Sequence, residues 1–547
     1  MKILICSVFL VVGWLCATAG FVPLHADPCA VVVEGADFTN ALERVNGEWN
    51  DGSVRVRMAR ADDGAVGVWL KSPQKQVESL RIRWKVRLSK ASMMLTDDWC
   101  GLGWAPIGSR RDSAWYFLVE EGGCTHGYGV MTRPNAIVYW KVSPGTVEGF
   151  FDVSAGGEGV RLGMRELEVC RVVSREGSPG ESSFAAGRAF CRQMCPDPRL
   201  PKESVYGYND WYCAYGANTA TNFLEDAAFV VSLAEGLPAR PFVVMDDGWQ
   251  VMSPPEVERV TGKFDSGWGP WDRASHAFGM DMPEFASRIA SLGAKPGLWY
   301  RPLRAWDAAD ASLKVVGHPE CFDPTMPENL CRIRGEVARF RDWGFRLVKV
   351  DFLAYDVIGQ YLFPGKVGER VMADRRVWRD CTRTTAERIK DVHQAIRDGA
   401  GDGMVVIGCG TFGHLAAGFF EVNRIGFDTS GRDWGQTARN GPGALSMRSI
   451  QHNAFYAIDG DCVGLASRGA IPWEKNQQWM DLLSRSKTPF FISWRRSLAD
   501  DEVRTALRNA FSIAAAGGEV AEPIDWKSAA SPCVWRFSDG TETHYSW

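Results

Sequence analysis

Two carboxylates in this chain lie where they could share a reaction. Asp351 closes the run Phe345-Arg-Leu-Val-Lys-Val-Asp351. Read as a strand, that run puts Leu347, Lys349 and Asp351 on one face and Val348 and Val350 on the other. An apolar back with a charged pair at the carboxyl end suits a catalytic strand, Asp351 serving as nucleophile and Lys349 as a substrate ligand; a structural Lys–Asp pair gives the same pattern. The second carboxylate closes Arg424-Ile-Gly-Phe-Asp428. Period two puts Arg424, Gly426 and Asp428 on one face. A nearby arginine favours the ionised acid, whereas burial and a partner carboxylate push the other way. A general acid needs that second influence to win. Together Asp351 and Asp428 match the two-carboxylate scheme of glycoside hydrolysis, one attacking the anomeric carbon and the other protonating the leaving oxygen.

Other residues gather at strand ends. Asp246-Asp247-Gly-Trp-Gln250 follows Pro241-Phe-Val-Val-Met245. Adjacent carboxylates repel unless something binds beside them, and they are good acceptors for neighbouring sugar hydroxyls; an Asp-Asp loop capping a helix is the plainer reading. Trp211 in Tyr208-Asn-Asp-Trp-Tyr212 and Trp299 in Gly297-Leu-Trp-Tyr-Arg301 could stack on a sugar ring or fill the core. Gly408-Cys-Gly-Thr-Phe-Gly413 fits a dinucleotide-binding fingerprint on paper. It stands fifth in the series of strands rather than first, and only a very short helix can follow it.

The elements that would position these residues come in two textures. From about 28 to 194 the chain shows short alternating runs, such as Val54–Met58, Leu80–Val86 and Ala136–Trp140, broken by Gly, Asp, Asn and Pro. That predicts an N-terminal β-sandwich. Cys195-Pro-Asp-Pro-Arg-Leu-Pro201 reads as a linker. From 202 to 515 strand and helix alternate, with strands expected at Val205–Trp211, Ala239–Met245, Lys295–Tyr300, Phe345–Asp351, Met404–Gly408, Glu421–Phe427, Phe455–Ile458 and Pro489–Ser493. Helices are expected near Asn222–Glu235, Met282–Ser291, Glu328–Asp342 and Val377–Arg397. The α/β pattern predicts a (β/α)8 TIM barrel as the catalytic domain; a doubly wound sheet gives the same alternation. Residues 516–547 read as a short C-terminal β appendage.

The chain has 547 residues, 46% hydrophobic and 23% charged, with a formal charge of −4, which gives no electrostatic reason to expect nucleic acid or an anionic membrane. Its 23 tryptophans suit sugar faces as well as cores. Lys2, the apolar run from Ile3 to Ala17 and Ala17-Thr-Ala19 predict a signal peptide at 1–19, hence an exported protein, periplasmic or extracellular. No later stretch predicts a membrane span. Losing Cys6 and Cys16 with the leader leaves thirteen of fifteen cysteines, an odd number that implies a free thiol. Cys321 with Cys331 and Cys191 with Cys195 are close enough in sequence to pair. A zinc site is disfavoured, since no His cluster stands at ligand spacing.

Set side by side, these motifs resemble the melibiase clan, the α-galactosidases of glycoside hydrolase families 27 and 36, over roughly residues 207–493. Thr96–Trp104 and His126–Val130 resemble segments of the N-terminal sandwich of family 36. The resemblance implies Asp351 as nucleophile within Lys-x-Asp and Asp428 as acid/base within Arg-x-x-x-Asp. It implies Asp246 and Asp247 as ligands of the galactose O4 and O6 hydroxyls, and Lys349 as a further sugar ligand. Trp211 matches the tryptophan at the floor of the site, Trp299 the aromatic position of Gly-x-Trp, and Cys409 the fifth-strand cysteine beside the sugar. Asp459-Gly-Asp461 matches a seventh-strand pair read as structural. The expected activity is a retaining α-galactosidase acting on oligosaccharides or glycans, needing no metal or organic cofactor. The loop Cys409-Gly-Thr-Phe-Gly-His414 has neither the Glu of one family nor the Gly-rich run of the other. α-N-Acetylgalactosaminidase, β-L-arabinopyranosidase and galactosyl transfer therefore stay open, as does a non-catalytic galactoside-binding protein. The oligomeric state is not legible.

Overall fold

The computed structural model describes residues 21–97, 103–109, 112–251, 269–360, 371–372, 374, 376–465 and 470–547. The leader at 1–19, with Cys6 and Cys16, and residues 98–102 of the Thr96–Trp104 motif lie outside them.

The N-terminal part forms two antiparallel sheets, one of six strands and one of nine. Ser79–Lys85 pairs with both Ala30–Gly35 and Thr146–Asp152 in the first, and Glu166–Arg175 lies between Val66–Lys71 and Cys124–Val130 in the second. Alternation of burial along Arg55–Arg60 and Ser79–Lys85 follows from one face meeting the core and the other water. Phe117 of the nine-stranded sheet meets Trp140 of the six-stranded one with ring centroids 5.9 Å apart, so the two sheets share a core. Helix α1, Ser183–Met194, opens on Ser182, whose side chain accepts from the Ala185 N–H.

Beyond the linker the chain builds one curled, parallel sheet of nine strands. Numbered within that sheet, they are β1 Tyr206–Asn209, β2 Phe242–Met245, β3 Lys295–Tyr300, β4 Leu347–Val350, β5 Val405–Gly408, β6 Val422–Arg424, β7 Ala457–Asp459, β8 Cys462–Leu465 and β9 Phe490–Trp494. Their near-continuous apolar runs are what a parallel sheet covered by helices requires. The spatial order is β7-β6-β5-β4-β3-β2-β1-β9-β8. The two edges are thus neighbours in the chain: β7 pairs with β6, β8 pairs with β9, and only Gly460 and Asp461 separate them. Asp461 has φ +74°, which breaks what would otherwise be one strand. At the amino end of the sheet, β1 and β2 approach so closely that a Cβ on Gly207 (φ +148°) would fall 1.8 Å from the Phe242 carbonyl oxygen.

Helices α2 Ala220–Leu233, α3 Met282–Leu292, α4 Pro327–Asp342, α5 Thr385–Ala400, α6 Trp473–Arg485 and α7 Asp501–Ala515 run between or after these strands. α5 starts with a reciprocal capping box between Thr384 and Glu387. The expected helix from Val377 therefore begins eight residues later, where the cap is. After α7 a small antiparallel sheet is made by Glu522–Pro523, Val534–Arg536 and Glu542–His544.

Three sequence expectations are revised. The strand expected over Glu421–Phe427 ends at Arg424, so Gly426 and Asp428 stand on a loop and are not governed by period two. Trp211 does not end a strand but opens a helical turn, Trp211–Ala214. Among the described residues every cysteine is a free thiol, including Cys191, Cys195, Cys321 and Cys331. The glycine fingerprint at 408–413 leads into a helix of four residues, Gly413–Ala416, too short to present a phosphate-binding N-terminus.

Candidate active site

At the carboxyl end of the parallel strands a cavity of about 730 Å³ opens, and all nine residues singled out above line it: Trp211, Asp246, Asp247, Trp299, Lys349, Asp351, Cys409, Arg424 and Asp428. They arrive from the ends of six strands, β1 to β6. That clustering follows from the topology, since each parallel strand delivers its last residues to the same end of the sheet.

Asp246 and Asp247 follow β2 and are both buried. Asp246 is braced on each oxygen. Its Oδ2 accepts from Lys349 Nζ at 2.7 Å and from Asn209 Nδ2 at 2.7 Å, and its Oδ1 accepts from the Asp247 N–H at 2.9 Å. Gln250 donates to Asp247 Oδ1 at 2.6 Å. The ion pair of Lys349 is therefore with Asp246 and not with Asp351, the neighbour on its own strand. Burial alone would push Lys349 down; the charge of Asp246, with Cys409 and Asp351 nearby, outweighs it and holds the ammonium well above its ordinary value.

Asp351 lies one residue beyond β4, its own N–H bound to the Tyr300 carbonyl at 2.9 Å. Trp299 Nε1 donates to its Oδ2 at 3.1 Å and the Phe352 N–H to its Oδ1 at 2.7 Å. Phe352 is left-handed, φ +60°, which turns its N–H back onto the carboxylate. The Arg301 guanidinium stacks 4.2 Å from the Phe352 ring centroid and makes a buried pair with Asp356 at 2.6 Å. Gly410 completes this wall. It has φ +59°, and a Cβ there would meet Asp351 Oδ1 at 3.1 Å.

Asp428 faces the cavity, its side chain 56% accessible, while Arg424 beneath it is 3% accessible. Arg424 Nη2 donates to Asp428 Oδ1 at 3.1 Å and also meets Asp461 Oδ2 at 2.5 Å. The cavity wall desolvates Asp428 and raises it; Arg424 and Lys349 pull it down, and Asp461 and Asp351 push it up again. The balance is upward, the direction an acid catalyst needs near neutral pH. Cys409 is pushed well above the ordinary thiol range by burial and by Asp351, so it stays a neutral thiol beside the carboxylate.

No protein-family model matches the chain. Among solved structures, an α-galactosidase from Thermus thermophilus in complex with p-nitrophenyl α-D-galactopyranoside superposes with a TM-score of 0.57 at 14% identity, covering 93% of this chain and 99% of that one. This chain has the α-galactosidase fold. A GH36 α-galactosidase from Geobacillus stearothermophilus aligns at a TM-score of 0.55 and 11% identity, over 89% of this chain and 75% of its own. The α-galactosidase from Lactobacillus brevis gives 0.55 and 12%, over 89% and 72%.

In this α-galactosidase fold the cavity has further lining residues that the sequence reading passed over: Phe352, Gly410, Gly426 and Phe427, with Gln436, Arg439 and Asn440. The first four adjoin residues already named, and extending each strand-end motif by one or two positions would have found them. The last three come from the segment after β6, where Trp434–Ala438 and Arg439–Gly443 are short helical pieces with no strand periodicity to flag them. Asn440 Nδ2 donates to the Asp428 carbonyl at 2.8 Å, tying this segment to the acid.

Proposed function

We propose that this protein is a retaining α-galactosidase that removes terminal α-linked galactose from oligosaccharides or glycans. One observation carries the reading: nine residues chosen for sugar-hydrolase chemistry, scattered from 211 to 428, line a single cavity at the carboxyl end of a parallel sheet. Its match to α-galactosidase structures supports it. In the full reading the sheet is a closed (β/α)8 barrel, β7 and β8 being two halves of a seventh strand interrupted at Gly460-Asp461.

The sugar's 4- and 6-hydroxyls would take up Asp246, Asp247 and Lys349, whose hydrogen bonds already fix them in place. Such fixed groups spare the reaction the cost of ordering them. Asp351 attacks the anomeric carbon, its two oxygens aimed by the Trp299 indole and the Phe352 amide. Asp428 gives its proton to the leaving oxygen. A β-linked galactosyl-enzyme results, and Asp428, now ionised, takes a proton from the water that attacks the same carbon. The two inversions restore the α configuration. The chemistry calls for no metal or organic cofactor. The leader read at 1–19 supports export to the periplasm or the exterior.

The test is a panel of aryl α-glycosides offered to the purified mature protein and to Asp351→Ala. Turnover of the α-galactoside by the wild type, lost in the variant, is expected. Preference for the α-N-acetylgalactosaminide or the β-L-arabinopyranoside would move the substrate within the clan. No turnover of any of the three would overturn the reading.

A further inference from the structure

Asp461 is buried at the break between β7 and β8, 5% accessible, and one of its oxygens collects four contacts. Oδ2 accepts from the Thr429 N–H at 2.7 Å, from Thr429 Oγ1 at 3.0 Å and from the Tyr212 hydroxyl, and it pairs with Arg424 Nη2 at 2.5 Å. Thr429 follows Asp428 directly, and Arg424 Nη2 also holds Asp428 Oδ1 at 3.1 Å. The Asp461 N–H is itself tied to Asp459 Oδ1 at 2.9 Å. A helix cap or a strand-end ion pair would need none of this convergence. On the reading of the site given above, we infer that Asp461 is a positioning residue for the acid/base, dividing one arginine between two carboxylates and anchoring the chain immediately after Asp428.

The division of Arg424 decides the electrostatics. The contact to Asp461 is the shorter, so most of the guanidinium's charge is spent on a buried carboxylate that never meets substrate. Asp428 keeps a weaker share, and Asp461 adds a negative charge of its own behind it. Both effects keep a proton on Asp428. The charged and titratable groups that face Asp428 are Lys349 and Asp351 after β4, Cys409 after β5, Arg424 on β6, Asp461 at the break, and Tyr212 and Tyr215 after β1. Among these Asp461 is the carboxylate that shares the arginine's Nη2 with Asp428. The strained backbone at Asp461 has a use on this account: it turns the carboxylate into the interior beneath β6 rather than along the strand.

The test is Asp461→Asn, which keeps the acceptor oxygen and removes the charge. The basic limb of kcat/KM on an aryl α-galactoside reports the protonated acid of the free enzyme. Freed from Asp461, Arg424 bears fully on Asp428, and the limb should move down by about one pH unit or more. Activity at pH 7 should fall about 10-fold or more on an alkyl galactoside, whose leaving group needs the proton, and by under about 3-fold on a dinitrophenyl galactoside, which leaves without it. A variant with an unmoved limb and an equal loss on both substrates would reduce Asp461 to a structural residue. Should Asp461→Asn not fold, Tyr212→Phe decides: it deletes one donor to Oδ2 but keeps the charge, so the limb must not move down, and a downward shift would refute the inference. Absence of α-galactoside turnover in the wild type would count against the proposed function and is visible before either variant is made.

Discussion

Asp428 must release a proton toward the leaving oxygen with an arginine 3.1 Å away, so its competence depends on what else that arginine holds. Replacing it should cost most where the proton matters most. Asp428→Ala is expected to lose about 10²- to 10⁴-fold on alkyl galactosides and far less on dinitrophenyl galactoside, read as kcat/KM with each. The wild-type profile has a sign as well: Asp428 is raised, its working form is protonated, and kcat/KM should fall as pH rises through its value. A second carboxyl under the site behaves in a way stability can report. Asp210 accepts the Asp246 N–H at 2.7 Å, and burial, with the charge of Asp246 beside it, pushes it up to about 8. A folded value above the unfolded one means stability that is full below about pH 4 and is lost as pH climbs through 8. Asp210→Asn, a mimic of the protonated acid, should therefore match the wild type in thermal midpoint near pH 4 and exceed it by a growing margin up to pH 8. A constant difference across that range would contradict the assignment.

At the scale of single elements, the strand ends do the positioning, and they were unevenly legible. Lys295–Tyr300 was readable to the residue because glycine and proline bracket a clean apolar run. The ends of β4 and β6 were overextended, since a sequence shows where apolar alternation stops but not where hydrogen-bonded pairing stops. Asp428 was thus found for a partly wrong reason. Its four-residue spacing from Arg424 reflects a loop folding back, not two strand periods. The break at Gly460-Asp461 was invisible because nothing in Phe455–Leu465 distinguishes one bent strand from two. The turn after β4 relies on Phe352, wedged by the buried Arg301–Asp356 pair. Arg301→Met leaves Asp356 charged and buried, which should cost about 3–5 kcal/mol in urea unfolding. It should also lower kcat through the Phe352 amide that aims Asp351. An unchanged unfolding midpoint would show that the pair does not hold the turn.

For the whole molecule, the sandwich and the parallel sheet are joined by directed contacts. His414, next to the β5 loop, stacks on Trp115 at 5.0 Å and its Nε2 meets the Val130 carbonyl at 2.9 Å. Burial lowers it to about 4, so it binds there as the neutral donor. Arg448 pairs with Asp97 at 3.1 Å, Arg165 with Glu387 at 2.8 Å, and the Thr385 N–H reaches the Ser154 carbonyl at 2.7 Å. The sequence separated the two textures through their periodicities, but it held no sign of these contacts, which join residues more than 200 positions apart. A protein of residues 202–547 alone would leave the buried Arg448 and His414 without partners. It should aggregate or melt without cooperativity, as judged by gel filtration and a thermal scan; a monodisperse piece with the full-length midpoint would contradict that.

The central claim is that Asp351 becomes bonded to galactose. Incubation with a 2-fluoro-galactosyl inhibitor, followed by intact mass and peptide mapping, tests it directly. One galactosyl adduct per chain, on Asp351 and absent from Asp351→Ala, is the predicted result. A label on another residue, or no label in an enzyme that turns over α-galactosides, would contradict it.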